Sequence, residues 1–341
     1  MATIQYPWTH FSEQKLLNTR LCDLGLTLDG HPLQKSLEKL YSELENKGIK
    51  LRPHVYISDD WFCPDGTISF TIPFFLLHPR LKELERRFIG EVEGETQEWF
   101  MKLIRHEMGH AVDNAFKLRK IVRRRNLFGA SHSPYPTSYD YRPYSKNYVR
   151  HIEEGYAQSH PDEDWAETFA VWLDPKSNWK KEYKNWPALR KVELLESIMK
   201  EKVLKKSPLI SNDEELGSIN TLTITLKEYF EEKRKRFGID KEGSLPKAFD
   251  TFFPIKNPKN KLPLASQYLR KNKKRLSQVI GLKTEEFQYR VDQALDHIIK
   301  GCEKSHRRLP SAWNKRSEKL VQLLAVQVKD FIKRGDHKVI M

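Results

Sequence analysis

The run His106-Glu107-Met108-Gly109-His110 constrains this chain more than any other stretch of it. The pattern carries chemistry only on a helix. Residues four apart share a helix face, so His106 and His110 present two imidazoles to one metal ion. Glu107 is displaced by one position, from where its carboxylate reaches a water on that ion. The surroundings suit a helix: between Thr96 and Leu118 there is no proline, and the one glycine is Gly109. Phe100, Leu103, Ile104, Met108, Ala111, Val112, Ala115 and Phe116 recur at spacings of three and four. A helix this apolar is buried, and buried imidazoles need partners.

Catalytic zinc takes three protein ligands and leaves one position for water. The segment from Ser159 to Pro175 supplies carboxylates on a second helix. Ser159 with Asp162 suits a capping box, Pro161 fits the first turn and Pro175 ends the helix. Glu163 and Glu167 sit one turn apart, and Trp165, Phe169 and Trp172 give the helix an apolar surface for docking. Glu163 is assigned as the third ligand. Glu167 is better placed to hold the other nitrogen of a ligand histidine, which fixes its tautomer. Asp113, three residues after His110, is another candidate for that supporting role. Tyr156, seven residues before Glu163, reads on its own as a packing residue.

The run Tyr156-Ala157-Gln158-Ser159-His160-Pro161-Asp162-Glu163-Asp164-Trp165-Ala166-Glu167-Thr168-Phe169 resembles a bacterial family of zinc-binding metallopeptidases. So do Ser131-His132-Ser133-Pro134-Tyr135-Pro136 and Trp186-Pro187-Ala188. The arrangement is similar to that of gluzincins, and distantly to the catalytic domain of anthrax lethal factor and to the Mlc titration factor peptidase. The resemblance covers roughly residues 100–195. It implies one zinc ion per chain held by His106, His110 and Glu163, with Glu107 as general base and Tyr156 as hydrogen-bond donor to the oxyanion. It implies a peptide or protein substrate without identifying one.

The charge is unevenly spread. Residues 1–199 hold 28 Lys+Arg and 28 Asp+Glu, whereas residues 200–341 hold 32 and 18, so the entire excess of +14 lies in the second part. Such a block attracts polyanions, and nucleic acid is the alternative partner it suggests. No zinc knuckle, RNP motif or helix-turn-helix signature accompanies it. Cys22, Cys63 and Cys302 follow no metal or disulfide spacing, as expected in a reducing compartment. Neither a signal peptide nor a membrane span is legible, so the expectation is a soluble cytoplasmic protein.

The expected fold is α+β: a mostly helical, zincin-like catalytic domain with a small sheet, followed by a basic helical C-terminal domain. Residues 1–50 read as an N-terminal helical segment, 51–200 as the catalytic domain, 201–263 as a connecting region and 264–341 as the basic domain. Gly30-His31-Pro32 starts a helix with Leu33, Leu37, Leu40, Tyr41 and Leu44 on one face. Leu51–Ser58 and Thr67–Ile72 are strand candidates. The second alternates polar and apolar residues, as a half-exposed edge strand that pairs with extended substrate would, and an ordinary sheet strand fits the pattern at least as well. Arg119, Lys120, Arg123, Arg124 and Arg125 read as structural cations near a helix end. The tyrosine-rich connection 128–150 is expected to pack and to wall the cleft. Asp213–Gly217 reads as a loop and Phe252–Pro263 as a linker. Three amphipathic helices are expected near 264–281, 284–303 and 312–334.

Overall fold

The computed structural model describes residues 6–204, 206–209, 214–237, 245, 248–254, 262–310, 317–336 and 338–340. The described chain is mostly helical with a small parallel sheet, an α+β fold. It divides into two compact units, one running to Arg236 and the other spanning Phe237–Ile340. The described residues of 1–50 and 201–236 thus fold into the same unit as 51–200. No helix among the described residues is long and apolar enough to cross a membrane.

In the first unit, α1 (Gln34–Asn46) buries Leu37, Leu40, Tyr41 and Leu44, the face anticipated from their spacing. Strand β1 (His54–Ser58) pairs in parallel with β2 (Ser69–Pro73), His54 opposite Ser69 and Ser58 opposite Pro73. The expectation of a half-exposed strand is corrected here, since every residue of β2 is buried. Its outer side at Thr71 is taken by the chain's own Phe62: the Thr71 N–H donates to the Phe62 carbonyl, and the Phe62 N–H donates to Thr71 Oγ1. Alternation in Thr67–Ile72 comes from small polar residues that find partners inside, as when Ser69 donates to Thr67 Oγ1.

Helix α2 (Pro79–Ile89) leads to α3 (Gln97–Phe116), which carries the histidine motif. Thr96 caps α3 by accepting the Trp99 N–H. After α4 (Val122–Phe128), an extended connection reaches a 3₁₀ turn, Glu153–Gln158, and then α5 (Pro161–Leu173). The N-cap of α5 is His160, not Ser159: His160 Nδ1 accepts the Asp162 N–H, and Pro161 takes the first helical position. Helix α6 (Ala188–Ile198) packs against α5, and α7 (Leu226–Arg236) against α2. One hydrophobic cluster runs from Trp8, Leu16 and Leu40 through Phe70, Phe100, Met108, Trp165 and Phe169 to Val192, Leu226 and Phe230.

Arg105 is an ion inside this core. Its Nε and Nη2 donate to Glu43 of α1 at 2.8 Å each, and Nη1 donates to Asp174 at the end of α5. A bidentate guanidinium–carboxylate pair is directional. This one fixes α3 against α1 and α5 at the residue before His106.

The second unit has its own core. Helices α8 (Ala265–Thr284), α9 (Gln288–Lys304) and α10 (Ser317–Arg334) bury Leu269, Leu276, Ile280, Leu295, Ile299, Leu324 and Val328 together. These are the three helices anticipated from periodicity. Residues 312–316 of the third, Asp213 of the expected loop and residues 255–261 of the expected linker lie outside the described residues.

Candidate metal centre

Helices α3 and α5 cross at Gly109. A Cβ there would lie 2.9 Å from Ala166 Cα and 3.2 Å from the Ala166 carbonyl oxygen. The absent side chain lets two backbones approach, which brings Glu163 up to the imidazoles. Glu163 Oε2 lies 2.9 Å from His106 Nε2 and 3.3 Å from His110 Nε2, and the two Nε2 atoms are 3.2 Å apart. Among the described residues, this trio is the one group of three or more His, Cys, Asp or Glu residues whose donor atoms could hold an ion. A tetrahedron with zinc–ligand bonds of about 2.1 Å has edges of about 3.4 Å. The triangle here is only slightly tighter.

The neighbouring acids are engaged elsewhere. Asp162 accepts from Arg124 and Ser131, and Asp164 pairs with Lys191. Glu167 Oε1 accepts from His106 Nδ1 at 2.9 Å, and its Oε2 accepts the Ile152 N–H. That arrangement puts the proton of His106 on Nδ1 and leaves Nε2 free to bind a metal. Asp113 does not join this shell. It is buried between Arg124 and Arg119, and no hydrogen bond links it to either imidazole among the described residues. Arg124 joins Asp113 of α3 to Asp162 of α5 and lies over the Trp165 ring, so this arginine is structural. Arg119 and Arg123 likewise pair with Asp65 and Glu201.

Glu107 is 5 % exposed, and its Oε2 is buried with no hydrogen-bond partner. Burial pushes its carboxyl above the usual range, against the opposing pull of His106 and His110. For Glu163 burial acts the same way, yet the imidazoles of His110 and His106 outweigh it and hold the carboxyl well below the usual range. A buried acceptor without a donor, beside a carboxylate oxygen and two imidazole nitrogens that converge, suits a cation and a water that supplies the missing donor.

Two tyrosines flank the trio. The Tyr156 ring is 5.5 Å from that of His106, and its hydroxyl makes no hydrogen bond to another described residue. Tyr135 donates to Glu163 Oε1 at 2.8 Å and stacks on His160, with ring centroids 3.8 Å apart. The role of Tyr135 is not read from the sequence, where it is one of five tyrosines in residues 128–150. The signal available was its place between two prolines, Pro134 and Pro136. His160 and His151 are structural: their Nε2 atoms bond the Ser133 and Lys102 carbonyls.

Two helices thus bring two imidazoles and a carboxylate together beside an unpartnered glutamate, a group that could hold a metal ion. Residues 84–204, about a third of the chain, match the model of a family described as "putative zinc-binding metallo-peptidase". The match spans α3, α5 and both tyrosines. No curated protein and no solved structure matches the chain.

Proposed function

We propose that the first unit is a zinc-dependent peptidase of the gluzincin type. The reading rests on one observation: Glu163 reaches both imidazoles of the motif while Glu107, next to them, has no partner of its own. Zinc held by His106, His110 and Glu163 would supply a water of near-neutral pKa and polarise the scissile carbonyl.

Glu107 Oε2 takes the proton of the attacking water and returns it to the leaving amine. Burial helps, because a desolvated carboxylate is a stronger base than one in water. Glu167 keeps the His106 proton on Nδ1 throughout. The unbonded Tyr156 hydroxyl donates to the oxyanion that develops on the substrate. The family description supports a peptide or protein as the substrate.

Metal analysis of the purified chain tests the ligands. Stoichiometric zinc in the wild type and near none in Glu163→Ala is the expected result. Zinc retained by that variant removes Glu163 from the site. Glu107→Gln is expected to keep its zinc and to lose about 10²–10⁴-fold in kcat on a peptide that the wild type cleaves. A Glu107→Gln variant of undiminished activity sinks the mechanism.

A further inference from the structure

The geometry points to Tyr135 as a positioning residue that presents Glu163 to the metal through one oxygen. The inference rests on the reading of this site as a zinc centre. Three contacts carry it. The Tyr135 hydroxyl donates to Glu163 Oε1 at 2.8 Å, while the other oxygen, Oε2, is the one that faces His106 and His110. The Tyr135 ring lies nearly parallel to His160, 3.8 Å away at 19°. His160 is in turn pinned at both nitrogens, to the Asp162 N–H and the Ser133 carbonyl. A closed circuit results: the ring that caps α5 orients the phenol, and the phenol orients a carboxylate three residues further along the same helix.

The circuit selects between two ways of using a carboxylate. Without the phenol, Glu163 is free to turn and offer both oxygens or neither. With it, Oε1 is occupied and Oε2 remains for the ion. Tyr135 is 52 % exposed, so solvent reaches its ring while its hydroxyl is engaged with Glu163. The two tyrosines divide the work: Tyr135 acts on the ligand, whereas Tyr156 acts on the substrate.

Zinc affinity, measured by competition with a chromophoric chelator, tests this without any need for activity. Tyr135→Phe keeps the ring and its stack and removes only the hydroxyl. It is expected to bind zinc about 10–100-fold more weakly than the wild type. Its metal-free thermal transition should be unchanged, its cobalt-substituted absorption spectrum altered and its hydrolysis restored by excess zinc. His160→Asn retains a capping side chain and removes the stack, and should weaken zinc binding in the same direction by a smaller factor. Tyr156→Phe should lower kcat with zinc affinity unchanged. Wild-type zinc affinity in Tyr135→Phe overturns the inference and leaves the zinc-centre reading intact. A wild-type chain that binds no zinc overturns both.

Discussion

Glu93 lies partly buried in the turn before α3, beside Gly94, where an added Cβ would lie 3.1 Å from Leu103 and from Trp61. Its carboxyl is pushed up to about 7 by burial first and by Asp60, with Glu107 and Glu91 adding to the rise and Lys233 opposing it. An acid whose folded pKa lies above its ordinary value of 4.5 holds its proton where the unfolded chain has released it. Stability from this residue is therefore fully present below pH 4.5 and falls as pH rises through 7. Glu93→Gln, neutral at every pH, should match the wild type near pH 4.5 and melt higher above pH 7. The gain is at most about 3 kcal/mol, or about 2–4 °C per kcal/mol in Tm. Melting curves in chelator from pH 4 to 8 decide it, and parallel wild-type and variant profiles would falsify the assignment. At this scale the sequence was most legible where chemistry fixes spacing. His106, Glu107 and His110 are defined by a helical interval, and Glu163 and Glu167 by a single turn. Tyr135, Glu93 and the partners of Asp113 depend on which later and earlier segments fold against α3, and no local pattern encodes that.

Helices α3 and α5 could be drawn from the sequence because their apolar periodicity and their prolines are local signals. Their crossing could not be drawn, yet it sets the distance from Glu163 to the imidazoles. Gly109 controls that distance, and its replacement sets two effects against each other. Alanine gains about 0.8–1.0 kcal/mol of helix propensity over glycine. Its Cβ, however, would lie 2.9 Å from backbone at Ala166, which cannot rotate out of the way as a side chain could. Overpacking of this kind costs about 1–3 kcal/mol. Separating the helices also withdraws Glu163. Gly109→Ala should therefore melt lower than the wild type and bind zinc more weakly, despite being the better helix former. An unchanged zinc affinity would mean that the crossing tolerates a methyl group and does not set the site. Strand β2 shows the opposite failure of local reasoning. Its alternation looked half-exposed, but Thr71 and Ser69 satisfy their hydroxyls inside the fold, so polarity did not mean solvent.

For the whole molecule, net charge placed a change of character near residue 200, whereas the structure divides the chain after Arg236. The difference lies in what the cations of α7 do. Lys233 is buried and donates to Glu85 of α2, which is 1 % exposed, and Arg236 pairs with Asp60. These residues count toward a basic block in the sequence but complete the first unit in space. The matched family segment stops at Leu204, short of α7. A fragment of residues 1–204 would lose Leu226, Tyr229 and Phe230 from the core, at about 1.5–3 kcal/mol each. It would also remove Lys233 and Tyr229, the donors that face the Glu85 carboxylate, and so end that buried pair. These losses approach the whole stability of a typical domain, about 5–15 kcal/mol. The fragment 1–204 should therefore lack a cooperative thermal transition and fail to retain zinc. The fragment 1–236 should melt cooperatively, bind zinc as the full chain does and cleave the same peptide. Circular dichroism with metal analysis on both fragments separates the cases. A folded, zinc-binding 1–204 would show that the catalytic fold ends where the family match does and that α7 is an accessory to it.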